Sequence, residues 1–292
     1  MPLIYDLHSH STASDGVLEP AELVQRARDK GVDVLALTDH DVLDGIAEAR
    51  AAADRLGMML VPGVEVSVTW RGRVIHVLGL GVDTMNPLLR KGLEGLAEKR
   101  RWRTAELGRR LEKLGIAGAA EGAARLTRGQ VVSRTHFARY LVEAGYVRDF
   151  KAAFKRYLGR GKRAYVSCEW ALLEEAVTWI RAAGGQAVIA HPARYRLGRG
   201  LFTELLEAFK HAGGTGLEVI SSSHSRRENL VMAAHARRYG LLASVGSDFH
   251  EPSGSWCELG SVAALPGDCI PIWRDWGLED TPLRQAAGNE GA

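Results

Sequence analysis

Cysteine is scarce. Cys168, Cys257 and Cys269 are the whole complement, odd in number and without a Cys-x-x-Cys pair. That excludes a disulfide framework or a zinc knuckle as the organising device. Long hydrophobic runs are missing as well: nothing approaches the roughly 20 consecutive apolar residues that a membrane span needs. No basic stretch followed by an apolar one precedes the first strand-like run, so no secretory signal is expected and the cytoplasm is the expected compartment. Neither membrane binding nor an obligate protein partner is expected. No serine, cysteine or aspartate stands out as a nucleophile either. What remains is a chain of 292 residues, 46% hydrophobic and 25% charged, ordinary values for a soluble globular protein. That length suffices for one large core, or one core plus a smaller insert.

The net charge of +3 hides an asymmetry. Residues 81–165 carry 20 of the 38 Lys/Arg and 8 of the 35 Asp/Glu, a balance of +12, which leaves 18 basic and 27 acidic residues, or −9, elsewhere. An acidic body with a basic element that meets an anion would show this pattern, and so would a solvated basic helical surface.

Hydrophobic periodicity predicts a strand over residues 3–7, a helix from Glu19 to Lys30 with Pro20 in its first turn, and a strand from Val32 to Leu37. An Ala-rich helix from Asp44 to Leu56, capped by Asp44, comes next. Met58–Val66 and Arg73–Leu80 read as strands with a hairpin-like connection through Trp70-Arg71-Gly72. From Asn86-Pro87 to about Gly161 the pattern is helical, with stops at Gly115, Gly129, Gly145 and Gly159. Strand–helix alternation then resumes: helices over Leu172–Ala183, Phe202–Ala212 and Arg226–Tyr239, strands over Gln186–Ala190, Gly216–Ile220 and Leu241–Val245. The expected organisation is a barrel from residues 1–80 and 166–280, a basic helical insert at 81–165 serving as a cap, and a poorly ordered tail at 281–292. Trp273-Arg274-Asp275-Trp276 reads as exposed.

Histidines and carboxylates recur after short apolar runs. They stand in Asp6-Leu7-His8-Ser9-His10, at Asp15, in Thr38-Asp39-His40, at Glu65 and His76, in Ala190-His191-Pro192 and in Ser247-Asp248-Phe249-His250. His8 and His10, two apart on a strand, share one face. Singly, His76 would be a half-buried structural histidine and Glu65 a rim charge; the recurrence at strand ends points instead to a catalytic metal site. Ligands from every strand favour a closed or nearly closed parallel barrel over an open sheet. Asp6 and Asp39 lie beside these positions, and Asp39 either orients an imidazole or bonds backbone. Ser9 and Ser247 sit inside the motifs, where a small side chain is the ordinary explanation.

Taken together, these motifs resemble the PHP (polymerase and histidinol phosphatase) family of metal-dependent phosphoesterases, from one end of the chain to the other. The resemblance implies an α/β fold, a distorted (β/α)7 barrel with a helical insert, holding two or three divalent ions, Mn²⁺ first and Zn²⁺ or Fe²⁺ as alternatives. It implies that His8, His10, Glu65 and Asp248 hold one ion, that Glu65 shares a second with His76 and His191, and that Asp15, His40 and His250 hold a third. Glu65, Asp248 and His191 would serve catalysis, and Asp15 and His40 would also face substrate.

Such ions would activate water for in-line attack on phosphorus. His224, ending another strand-like run, is a candidate proton donor to the leaving oxygen, the third ion being the alternative. In the insert, Lys99, Arg100, Arg101 and Trp102, together with Arg134 and His136 at a helix start, are candidates to hold a second phosphate. The alternative is that Phe137, Tyr140 and Leu141 are core and the arginines solvated. By its insert the chain resembles the stand-alone branch acting on nucleoside 3′,5′-bisphosphates and short 5′-phosphorylated oligonucleotides. The expected substrate is a 3′,5′-bisphosphate nucleotide, with short single-stranded RNA or DNA as a further partner. Main action as a 5′-3′ exoribonuclease, histidinol phosphate hydrolysis, amide hydrolysis and metal-stabilised nucleic-acid binding are the rivals.

Overall fold

The computed structural model describes residues 3–127, 132–252 and 257–277. Gly129 and the tail from residue 281 lie outside the described residues. Strands β1 (Tyr5–Asp6), β2 (Val34–Leu37), β3 (Met59–Trp70), β4 (Arg73–Leu80), β5 (Gln186–Ile189), β6 (Gly216–Ser221) and β7 (Leu242–Gly246) form one seven-stranded sheet in sequence order. The chain after β7 returns beside that after β1. His8 O accepts from Asp248 N at 2.9 Å, and His10 N donates to Phe249 O at 2.9 Å, so the ring is nearly closed. β2 reads Val-Leu-Ala-Leu and is buried on both faces, as a barrel strand walled by helices must be.

The sheet is mixed. β1, β2 and β3 are parallel, as are β5, β6 and β7, but β4 is antiparallel to both neighbours. The reason is local: Arg71 (φ 46°) and Gly72 (φ 69°) make a two-residue turn of positive φ, which leaves no room for a crossover. The expected hairpin is there, and with it the expectation of a wholly parallel sheet fails at this strand.

Helix α1 (Pro20–Asp29) opens on a reciprocal cap between Glu19 and Glu22, and α2 (Ile46–Leu56) buries Ile46, Ala49, Ala52 and Ala53. Gly45, not Asp44, stands at the α2 cap, and no side chain caps it. Both helices pack on β2 in a core of their own. Helix α3 (Pro87–Glu112), capped by Asn86, joins two further cores. Its first half sends Leu89, Leu93 and Leu96 into the barrel-side core, while Leu107 and Leu111 enter a separate cluster. That cluster is completed by α4 (Ala119–Arg125), α5 (Arg134–Glu143) and α6 (Phe150–Ala153), which runs into a π turn at Phe154–Leu158. Helices α7 (Leu173–Ala182), α8 (Arg199–His211) and α9 (Arg226–Tyr239) wall the second half of the barrel, α8 starting three residues before the expected Phe202. The Trp273 ring stacks on Tyr5 at 4.0 Å, and Trp276 donates to Gln186, so these tryptophans are packing residues rather than an exposed contact. Among the described residues no helix is long and apolar enough to cross a membrane.

Candidate active site

The histidines and carboxylates converge at one end of the barrel. His8 and His10 follow β1, His40 follows β2, His191 follows β5, and Asp248 and His250 follow β7. Two come otherwise than expected. Glu65 lies mid-strand, because β3 continues past the rim, and His76 comes from the antiparallel β4, opposite Ser67. His191 (φ 29°) and Asp248 (φ 54°) hold the left-handed region without being glycine, a strain that clusters at functional sites. Gly246 explains itself: a Cβ there would lie 2.2 Å from that of His8.

Glu65 is the hub. Its Oε1 lies 2.8 Å from His76 Nδ1 and 2.9 Å from His191 Nε2; its Oε2 lies 3.4 Å from His8 Nε2, 3.3 Å from His10 Nε2 and 2.9 Å from His40 Nδ1. Asp248 Oδ1 stands 3.4 Å from His8 Nε2 and 3.3 Å from His10 Nε2, and Asp15 Oδ1 stands 3.4 Å from His250 Nε2. Three groups each gather donor atoms within 4.8 Å: His8, His10, Glu65 and Asp248; His40, Glu65 and His76; and His10, Asp15, His40 and His250.

Two atoms about 2.1 Å from one ion at tetrahedral or octahedral angles lie about 3.0–3.4 Å apart, so the first and third groups are spaced as ligands of a common cation. His8 Nε2, both His10 nitrogens, Asp15 Oδ1 and Glu65 Oε2 are buried without a hydrogen-bond partner, the deficit that divalent ions would relieve. The donor set of imidazoles and carboxylates without thiolate suits Mn²⁺, Fe²⁺ or Zn²⁺. These residues fit metal.

Burial opposes charge on Glu65, yet the imidazoles of His40, His76 and His8 hold its carboxyl well below the usual range. Against the same burial, Asp248 and Glu65 push His10 up to about 10, and Glu218 with Glu65 and Asp248 lifts His8 well above 6.5. His191, where burial wins, falls to about 4.

A carboxylate outside the expected set organises the ligands. Glu218, fully buried on β6, takes His8 Nδ1 at 2.9 Å with Oε1 and the His191 N–H with Oε2. It thereby turns His8 Nε2 toward the cluster. His250 Nδ1 is likewise occupied by Asp248 O at 2.8 Å. Asp39 resolves the alternative left open for it: it takes Ser11 N at 2.8 Å and the Ser11 and Ser14 hydroxyls, shaping the loop that carries Asp15. Asp6 accepts from Ser247 N and Gly260 N. The Ser9 hydroxyl donates to Ala36 O at 2.7 Å.

Above the cluster lies a cavity of about 220 Å³. Arg100, Arg103, Arg134, Arg139 and Arg194 line it, with the aromatic rings of Phe154, Tyr165 and Trp170. Of the expected substrate residues Asp15, His40, Arg100 and Arg134 line it, but Arg100 is bound to Asp41 at 2.7 Å and Ser67 at 3.0 Å. Lys99 donates to Trp170 O, and Arg101 and Trp102 are exposed outside the cavity. His136 points inward, its Nδ1 accepting from Ser133 N at 3.0 Å, so it caps α5 rather than gripping an anion. His224, the expected proton donor, is held by Val219 O and Ala193 N, each at 3.3 Å, and does not line the cavity.

Arg103, at the end of the basic stretch Lys99-Arg100-Arg101-Trp102-Arg103, fills the place meant for its neighbours. It lies over Trp170 at 5.3 Å with a buried Nε that has no hydrogen-bond partner, and burial with Arg134 and Arg100 nearby pushes it down to about 9. Its signal was helical phase: Arg100 and Arg103 are i, i+3, whereas Arg101 and Trp102 turn away.

A 3′,5′-nucleoside bisphosphate phosphatase from Chromobacterium violaceum is 49% identical over 282 residues, covering 96% of this chain and 98% of that protein. A 5′-3′ exoribonuclease from Haemophilus influenzae is 48% identical over 92% of this chain and 97% of its own, and the 5′-3′ exoribonuclease Rnm of Escherichia coli is 45% identical over 94% of each. Among solved structures, one from Chromobacterium violaceum, described as an amidohydrolase with bound sulfate and no metal, superposes with a TM-score of 0.89 at 49% identity, covering 93% of this chain and 95% of that one. Another, from Bifidobacterium adolescentis and described as a metal-dependent phosphoesterase, superposes at 0.79 with 26% identity, covering 93% and 94%. The PHP domain matches residues 6–221, and with relatives of nearly half identity along the whole chain, this protein belongs to the PHP family of metal-dependent phosphoesterases and is a phosphoric ester hydrolase.

Proposed function

We propose that the protein removes the 3′-phosphate of nucleoside 3′,5′-bisphosphates, converting adenosine 3′,5′-bisphosphate to 5′-AMP, and cleaves the corresponding diester of short 5′-phosphorylated oligonucleotides. The observation that carries this reading is a cavity with two poles, the ligand cluster on its floor and the half-buried Arg103 and Arg134 on its helical wall. Arg103, with a desolvated Nε that has no hydrogen-bond partner, is poised for phosphate, and with Arg134 on the same wall, facing a site that takes one phosphoryl group, it calls for a substrate with a second. Arg134, over the Phe154 ring at 5.6 Å, and Arg103 would hold the 5′-phosphate, while Trp170 and Tyr165 offer faces for the base.

When bound, two or three divalent ions, Mn²⁺ in our reading, supply a water of lowered pKa and neutralise charge on the phosphoryl oxygens. His8, His10, Glu65 and Asp248, then His76 and His191, then Asp15, His40 and His250 would hold them. Arg194, fixed at 2.7 Å by Asp248 Oδ2, lines the same cavity and would balance charge on the non-bridging oxygens. The helices over residues 81–165 act as a cap, closing the cavity against water. We place the activity in the cytoplasm.

Relatives named exoribonucleases at 48% and 45% identity favour a second reading, in which the oligonucleotide is the main substrate. Histidinol phosphate fits worse, because its amine would meet the arginine-lined wall.

The test is phosphate release by the Mn²⁺-loaded protein from adenosine 3′,5′-bisphosphate. 5′-AMP, 3′-AMP, histidinol phosphate, a 5′-phosphorylated RNA and a simple amide would be run in parallel. Preference for the bisphosphate over both monophosphates, lost in Arg134→Ala, supports the proposal. Better turnover of histidinol phosphate or of the amide would overturn it.

A further inference from the structure

Uncompensated positive charge is concentrated on one segment of the cap. Between residues 148 and 163 stand Arg148, Lys151, Lys155, Arg156, Arg160, Lys162 and Arg163, against the single carboxylate Asp149. All seven cations are exposed. Arg148 pairs with Asp149, Lys151 adds to the field on that carboxylate and Arg156 reaches the Tyr146 carbonyl, but among the described residues the other four have no carboxylate partner. Several basic residues elsewhere on the surface are matched, as Arg109 and Arg110 are by Glu106, or Arg26 and Lys30 by Glu258. A one-signed stretch of this length builds a potential that attracts polyanions.

Its position matters more than its charge. Phe150 and Phe154 from this segment, and Tyr165 and Val166 just beyond it, line the catalytic cavity. The ridge therefore begins at the cavity mouth. On its outer side Tyr146, Arg148, Lys155 and Arg156 border an open groove. The cavity itself, about 220 Å³, is smaller than the about 300–1,000 Å³ of ordinary ligand pockets. It takes a terminal nucleotide at most, and anything longer must leave across the ridge.

We propose that the ridge at 148–163 and its groove bind the phosphodiester backbone of a single-stranded oligonucleotide whose 5′-terminal nucleotide occupies the cavity. This rests on the phosphoester reading above and names the extended substrate of that site. Successive phosphates meet the arginine and lysine side chains, and Tyr146 offers a face on which a base can stack. The segment bears no exposed large apolar side chain except Phe150, which faces the cavity, so it offers nothing to insert into a membrane.

The experiment compares the wild type with a Lys155→Ala/Lys162→Ala/Arg163→Ala variant, all three positions lying outside the cavity. kcat/KM is measured on adenosine 3′,5′-bisphosphate and on a 5′-phosphorylated single-stranded RNA of about ten nucleotides, between about 50 and 200 mM salt. The expected result is a fall of about tenfold or more on the RNA, with bisphosphate turnover unchanged. The logarithmic salt dependence on RNA should also become shallower by about 2, for three lost phosphate contacts. Unchanged RNA turnover, or an equal fall on both substrates, overturns the proposal. Should the wild type turn over neither substrate, the phosphoester reading fails separately, and fluorescence anisotropy with labelled RNA, and with DNA of the same sequence, decides the ridge. Affinity for either strand lost in the variant supports it; equal affinity in both proteins overturns it.

Discussion

Glu65 touches five imidazoles with two oxygens, and those imidazoles come from four separate stretches of chain. A carboxylate so surrounded has no use for a core: it is costly to bury and pays only where cations share the site. Glu218 sits one shell further out, joining His8 to the His191 backbone. Glu218→Gln keeps the shape but removes the charge, and we expect metal affinity to fall about 10–100-fold with the fold intact. Calorimetric titration with Mn²⁺ checks this; unchanged affinity would make Glu218 a mere packing residue. Arg103 allows a second test at this scale. Arg103→Ala should cost about tenfold in kcat/KM on the bisphosphate and leave 3′-AMP turnover nearly untouched, so a uniform loss on both would place Arg103 away from the 5′-phosphate.

Helix α5 binds the cap to the catalytic loop. Ser133 and Thr135 at its start donate to Asp15 Oδ2 at 3.3 and 2.9 Å, and Arg139 one turn on donates to Asp15 O. The helix start is closed in turn by His136, whose ring accepts from Ser133 N. Burial pushes His136 down to about 4, so the folded protein keeps it neutral. A depressed pKa means that the unfolded chain takes up the proton first as pH falls. The stabilisation is therefore full above about 6.5 and is lost as pH drops from there toward 4, by about 2 kcal/mol at pH 5. Gln restores the same reciprocal cap without titrating. Thermal unfolding followed by circular dichroism should show His136→Gln losing less stability than the wild type between pH 6.5 and 5. Parallel curves would exclude His136 as the source.

For the whole molecule, the three cores are built without the metal cluster. Chelation should leave the far-ultraviolet spectrum unchanged, abolish turnover and lower the melting temperature, since a ligand at a hundred times its Kd contributes about 2.7 kcal/mol. Loss of the barrel spectrum would mean that the ions are structural. The metal-free cluster holds protons on His8 and His10, both shifted upward, and those protons must leave when a cation enters. Mn²⁺ affinity should accordingly rise from pH 6 to pH 8, by about tenfold per pH unit for each proton displaced. A flat profile would show that the imidazoles are already neutral.

Much of this was legible in the residues themselves. Strand periodicity puts His8 and His10 on one face, and recurrent short apolar runs ending in histidine or carboxylate announce a barrel with ligands on its rim, because alternation and burial are local properties. The reversal of β4 was announced in the same local way by the hairpin-like connection at Trp70-Arg71-Gly72. The partnership of Glu218 with His8 and the inward turn of His136 were not legible. Each depends on which distant segments meet: Glu218 is 210 residues from His8, and nothing near it in the chain marks it out. Arg103 lies between these cases, since helical phase separates it from Arg101 and Trp102 but only the tertiary fold decides which face of α3 meets the cavity. The sequence by itself determined the histidines and carboxylates that converge, the reaction class and the placing of charge. The tertiary structure decided which cations face the cavity and which are consumed by capping or ion pairing, because that choice is made by contacts the chain acquires only when it closes.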